Sequence, residues 1–149
     1  MRLAMLYLHL LGVVVWVGGL AYQTHVLLPA ARLGSVGAFA DAARRARPVT
    51  WTAIAVVVLT GFYNVTQLGT LQRVMETGAG LMLAGKFILV ILAVALTSQR
   101  DFAHVTLLAA ALASGADPTK PLRAIARLDR VVLLLTLATI YLGLAISRT

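Results

Sequence analysis

Four long apolar stretches alternate with short polar connections along the chain. The first runs from about Leu3 to Leu28 and reaches Pro29. The second runs from about Val49 to Leu68. The third starts near Leu81 and is apolar to Leu96. It should stay helical past Arg100, Asp101 and His104 to about Ala113, because neither Gly nor Pro intervenes. "SGADPTKP" is the clearest turn. The fourth apolar core, Val131 to Ile146, is short, so its helix should begin soon after Pro121. Roughly 20 apolar residues cover a hydrocarbon core. The pattern therefore predicts an all-α, integral membrane four-helix bundle. It forms one domain over residues 1–149, with helices at approximately 3–28, 49–68, 80–113 and 122–146. The Ala- and Arg-rich connection "AARLGSVGAFADAARRARP" reads as a short amphipathic helix lying on the membrane surface.

Composition strengthens this reading. Of the 149 residues, 60% are hydrophobic and 12% charged, about half the charged fraction of a soluble domain. The net charge of +8 does not point to nucleic acid, because the charges lie in the connections, where they meet the lipid bilayer. Arg32, Arg44, Arg45, Arg47, Arg100, Lys120, Arg123, Arg127 and Arg130 fall on one side. Arg2, Arg73 and Arg148 fall on the other, with Lys86 as a fourth. The positive-inside rule then places the basic loops in the cytoplasm and both termini outside, in a multi-pass protein of a bacterial-type inner membrane. Arg123, Arg127 and Arg130 share one helical stripe and can snorkel to headgroups. The absence of cysteine excludes disulfides, thiolate metal sites and iron–sulfur clusters. No HExxH, Walker or GxGxxG pattern is present. None of the five acidic residues falls in the middle of an apolar span, which argues against a carboxylate-driven pump.

Two polar side chains interrupt the apolar segments. His9 lies about six residues into the first helix, roughly 9 Å deep at ~1.5 Å per residue. Lys86 lies at a similar depth in the third. Thr60, Tyr63, Asn64 and Gln67 of the second helix, and Thr139 and Tyr141 of the fourth, approach the same level. A charge in mid-helix costs at least ~2.5–3.5 kcal/mol on insertion scales, so it normally faces a partner or a cavity. His9, Gly12, Trp16, Gly19 and Gln23 are spaced 3, 4, 3, 4, the seam of a bundle. Glycines on that seam allow close approach of a helix or a flat ligand. Met5 lies one turn from His9, and Met82 one turn from Lys86. Imidazole suits both haem iron and copper, and thioether suits Cu(I). His9, Met5 and Met82 are thus a candidate copper set. His25 and His104, both near the cytoplasmic ends of their helices, form a further candidate pair, although His25 points about 160° away from the His9 seam at ~100° per residue.

The ordered set of His9, Trp16, Gly18, Gly19 and Leu20, then Pro29 and Arg32, a basic loop, "LTGFYN" at 59–64 and "GKFILV" at 85–90 resembles the CopD-like membrane superfamily. That group includes CopD-type copper-resistance proteins and HemJ-type protoporphyrinogen oxidases. The resemblance covers nearly the whole chain in order. It implies haem b, with an essential His and an essential Lys that map onto His9 and Lys86, or copper handling across the inner membrane. The chain lacks aromatic and charged residues expected around the first helix of HemJ, and it is shorter than full-length CopD proteins. The leading expectation is a haem b or metal site in the outer half of the bundle. There His9 is the ligand, Lys86 the catalytic or propionate-pairing cation, and Trp16, Gly12, Gly19 and Asn64 the pocket wall. The activity is electron transfer or porphyrin oxidation, an oxidoreductase chemistry. Two rivals stand: copper binding or transport, and a non-catalytic scaffold subunit. The partners implied are a redox protein, a larger membrane complex or a second copy of the chain.

Overall fold

The structure, a computed structural model, describes residues 1–76 and 78–148, apart from the side chain of Leu71. Its elements are α1 (Arg2–Arg32), α2 (Val36–Thr66), the short α3 (Leu71–Glu76), α4 (Ala79–Ser114) and α5 (Thr119–Ile146). No strand occurs among the described residues. The four long helices are each long and apolar enough to cross a membrane. Helix α1 packs along α2, and α4 along α5. Contacts between α1 and α5 and between α2 and α4 close the ring. Leu3, Val14, Leu59, Phe62, Leu81, Ile91 and Leu134 point outward. That is the arrangement expected when the surrounding solvent is hydrocarbon.

Two prolines expected at helix ends lie inside helices. Pro48 sits within α2, so the amphipathic segment after Ser35 is the N-terminal part of that helix and not a separate surface element. Pro29 follows a wide turn at Gln23–Leu27, in which the Leu28 N–H bonds to the Gln23 carbonyl, and α1 continues to Arg32. A proline removes one backbone donor and crowds the preceding turn. A wide turn redistributes the backbone bonds just where the ring needs room. Helix α4 carries the same device at Gln99–His104, where the Val105 N–H bonds to the Arg100 carbonyl.

These turns reset which residues face inward. In α1 the seam Gly12, Trp16, Gln23 resumes at Leu28 and Ala31. In α4 the seam Ala93, Thr97, Arg100 resumes at Val105 and Leu108. Five residues separate Gln23 from Leu28 and Arg100 from Val105, one more than the α period gives. The resumed faces join Phe39, Ala40, Ala43, Leu122, Ile125 and Ala126 in one apolar cluster at the basic end. A second cluster, built on Trp16, Ala53, Ile54, Ala93 and Val132, fills the middle of the bundle. At ~1.5 Å per residue, the 31 residues of α1 reach ~46 Å, against a hydrocarbon core of ~30 Å. The helices therefore extend past the bilayer core.

Candidate functional site

Polar side chains enter the bundle at two levels. Fourteen residues separate His9 from Gln23, Lys86 from Arg100 and Asp129 from Gly143. Because α5 runs back along α4, these three spacings pair the same two levels. The intermediate positions, Trp16, Ala93 and Thr136, are buried between them.

At the level nearer the termini, the His9 ring lies against Gly61, where an added methyl carbon would stand 3.3 Å from Cε1. Its Nδ1 is 3.1 Å from the Val57 carbonyl and 3.0 Å from Thr60 Oγ1. The Thr60 hydroxyl donates to the Val56 carbonyl. A carbonyl can only accept, so Nδ1 carries a proton, and in the neutral ring Nε2 is then the nitrogen with the lone pair. The Lys86 ammonium lies over Gly143, where a methyl carbon would meet Nζ at 3.1 Å. It is close enough to His9 for the two to interact electrostatically. Phe62 and Phe87 stack at 5.3 Å between ring centres and hold α2 and α4 together near this level.

The second level is a buried ionic network. Arg100 donates from Nε to Asp129 Oδ1 at 2.9 Å, from Nη1 to Asp101 Oδ1 at 2.6 Å, and from Nη2 to Gln23 Oε1. Trp51 donates from Nε1 to Asp101 Oδ2 at 3.0 Å. Arg47 Nη2 donates to the Asp101 backbone carbonyl at 2.6 Å, and its guanidinium lies over the Phe102 ring. Gln23, Arg100, Asp101 and Asp129 are all buried. Beside them is a cavity of about 20 Å³, lined by Trp16, Gln23, Thr50, Thr97, Arg100 and Asp129 among others. All four long helices thus contribute to one polar layer, between the middle and basic-end apolar clusters.

No family model matches the chain, and no curated protein or solved structure matches it either.

Of the residues singled out in the sequence, His9 and Lys86 are brought to one level, both half-buried. Asn64 is half-buried one turn beyond Thr60 on α2. Gly12 is consumed by helix packing: a methyl carbon there would meet Val57 Cγ2 at 2.8 Å and the Ala53 carbonyl at 3.2 Å. Trp16 belongs to the middle apolar cluster. Gly19 is exposed on the outer face of α1, with open space where a side chain would go. Met5 is half-buried and Met82 is 38% exposed. His25 is exposed and His104 half-buried. Among the described residues, no group of three or more His, Asp or Glu side chains could hold a metal ion.

The ionic network is not visible in the hydropathy pattern, where Arg47 and Arg100 fall in the connections and Asp101 and Asp129 lie off the middles of the apolar spans. The missed signal was periodic: Lys86, Ala93 and Arg100 repeat at seven residues, as do Asp129, Thr136 and Gly143.

Proposed function

We propose that the protein is a membrane-embedded redox protein whose ligand site is the His9–Lys86 level, and that it takes haem b. The observation carrying this reading is the His9 hydrogen bond to Val57. An Nδ1–H anchored on a backbone carbonyl orients the ring and presents Nε2 as a ligand, the hydrogen bond that metal-bound histidines usually make. The donor chemistry therefore fits His9 as the residue that would hold a haem iron. Lys86 supplies a cation for a propionate or for a porphyrin carboxylate, and Asn64 adds an amide to the same half of the bundle. The haem supplies the one-electron chemistry when bound. The chain's own contribution is to hold the imidazole, to place a positive charge beside it, and to surround both with apolar helices that exclude water.

The resemblance to HemJ-type proteins supports electron transfer or porphyrin oxidation as the activity. The excess of Lys and Arg at one end supports an inner-membrane orientation with that end in the cytoplasm. The test is an oxidised and dithionite-reduced absorption spectrum of the detergent-purified protein, with iron and copper quantified on the same sample. The expected result is a Soret band, sharp reduced α and β bands and stoichiometric iron, all lost in His9→Ala. Bound copper without a haem spectrum would replace this reading with a carrier built on Met5, His9 and Met82. Neither metal, after supplementation with both, would leave a scaffold subunit.

A further inference from the structure

The two buried carboxylates of the ionic layer are served unequally. Asp101 receives Arg100 Nη1 on one oxygen and the Trp51 indole N–H on the other. Its backbone carbonyl is also covered by Arg47. Asp129 is 1% exposed, and its Oδ1 receives Arg100 Nε at 2.9 Å. Among the described residues, its Oδ2 has only the Arg100 Nη2 contact at 3.5 Å, beyond the usual range of a hydrogen bond. Asp129 also lines the small cavity, with Thr50 and Thr97. The Thr97 hydroxyl spends its proton on the Ala93 carbonyl and so offers its lone pairs elsewhere. A site of about 20 Å³ exceeds the ~10–15 Å³ that one water needs, and its polar lining can hold one.

We propose that Asp129, with one water in the adjoining cavity, is a buried proton-exchange site. In the step, a hydronium proton from bulk passes through the cavity water and forms an O–H bond on Oδ2; the carboxylate loses its charge and neutral water is left behind. Oδ1 stays hydrogen-bonded to Arg100, and the new O–H donates to the cavity water. Every charged group around Asp129 fits this division. On α4, Arg100 touches both carboxylates, and Asp101 is held by other partners. On α2, the Arg47 charge is directed at Asp101 and Phe102, and Thr50 is neutral. Gln23 on α1 is neutral and accepts from Arg100. On α5 itself, Arg130 and Arg127 are exposed, which places the layer at the headgroup boundary, within reach of bulk protons. The wide turns at Gln23 and Arg100 set the backbone around this layer, as such turns do at functional sites. The site is separate from the His9–Lys86 level and does not depend on a cofactor there.

The experiment is a pH titration of the full-length protein in lipid, read by infrared difference spectroscopy in H2O and D2O. Only five acidic side chains exist, and Asp41, Glu76 and Asp117 are exposed, so assignment is tractable. The expected result is a protonated-carboxyl C=O band, distinct from those of solvated acids, that grows as pH falls. It is lost in Asp129→Asn and kept in Asp101→Asn. Thr97→Val, which removes a hydroxyl from the cavity wall, shifts the band and provides the test if Asp129→Asn does not fold. Absence of such a band wherever the protein keeps its helical circular dichroism would overturn the proposal. So would its persistence in Asp129→Asn, or its indifference to Thr97→Val.

Discussion

Gln23 and Arg100 hydrogen-bond through their side chains across the bundle, and each also lies in a wide turn of its own helix. In both helices the carbonyl of that residue accepts a bond from the N–H five residues on. The coincidence has a mechanical consequence. Each turn carries the inward face forward by one residue, so the apolar side chains beyond the polar layer point back into the bundle. The two deviations match, so α1 and α4 remain in register through the layer.

The first prediction concerns the cation at the centre of that layer. Arg100→Met leaves Asp101 and Asp129 buried without their shared guanidinium. Removing one partner of a buried ion pair costs about 3–5 kcal/mol. The expected result is a large loss of unfolding stability in detergent, by thermal or denaturant melting. Pairing Arg100→Met with Asp129→Leu should recover much of it, because Asp101 keeps Trp51 and Arg47. A double variant no more stable than the single one would show that the network is not balanced in this way.

The extent to which the sequence disclosed this arrangement differs by residue. The four apolar spans were legible because hydropathy over twenty residues depends on few details. The His9–Lys86 level was legible because an ionisable group inside an apolar run is conspicuous. Pro29 and Pro48 misled, since the geometry that absorbs a proline inside a helix depends on tertiary packing. Arg100 and Asp129 lie at the edges of their apolar runs, where a charge reads as solvated. Only the placement of four helices around them makes them interior.

The second prediction tests the seat of the His9 ring. A methyl carbon on Gly61 would stand 3.3 Å from His9 Cε1 and 3.7 Å from Nδ1, so a branched side chain there must displace the ring. Gly61→Val should weaken haem binding about tenfold, equivalent to ~1.4 kcal/mol, with the helical content unchanged. Titration of haem into the apoprotein, followed at the Soret band, measures it. Binding as tight as in the unmutated protein would show that His9 is not the ligand.

The third prediction is a pH effect at the start of α5. The Asp117 carboxylate accepts from the Thr119 hydroxyl at 2.6 Å and from the Thr119 backbone N–H at 3.0 Å. These bonds hold its pKa below the ordinary carboxylate value, the side-chain bond contributing most. A depressed folded-state pKa gives stability that is present above the unfolded pKa and lost as pH falls through the folded one. Asp117→Asn should therefore show a smaller fall in melting temperature on acidification than the unmutated chain. Asp117 is fully exposed, so the smaller share contributed by the Lys120 and Arg123 charges should shrink in high salt. Equal acid slopes for the two proteins would remove Asp117 from the account.

The fourth prediction separates two glycines that look alike on the α1 seam. At Gly12 a methyl carbon would press on Val57 Cγ2 at 2.8 Å and on the Ala53 carbonyl at 3.2 Å, where α1 and α2 touch. Overpacking of this kind costs about 1–3 kcal/mol, and backbone on one side limits the relief available. At Gly19 nothing lies within 4 Å, and the residue is exposed. Alanine in a helix is favoured over glycine by roughly 0.5–1 kcal/mol. Gly12→Ala should thus destabilise the protein, whereas Gly19→Ala should be neutral or stabilising, as measured by melting in the same detergent. A destabilising Gly19→Ala would instead mean that this face of α1 is covered by another molecule, such as a second copy packing through small residues.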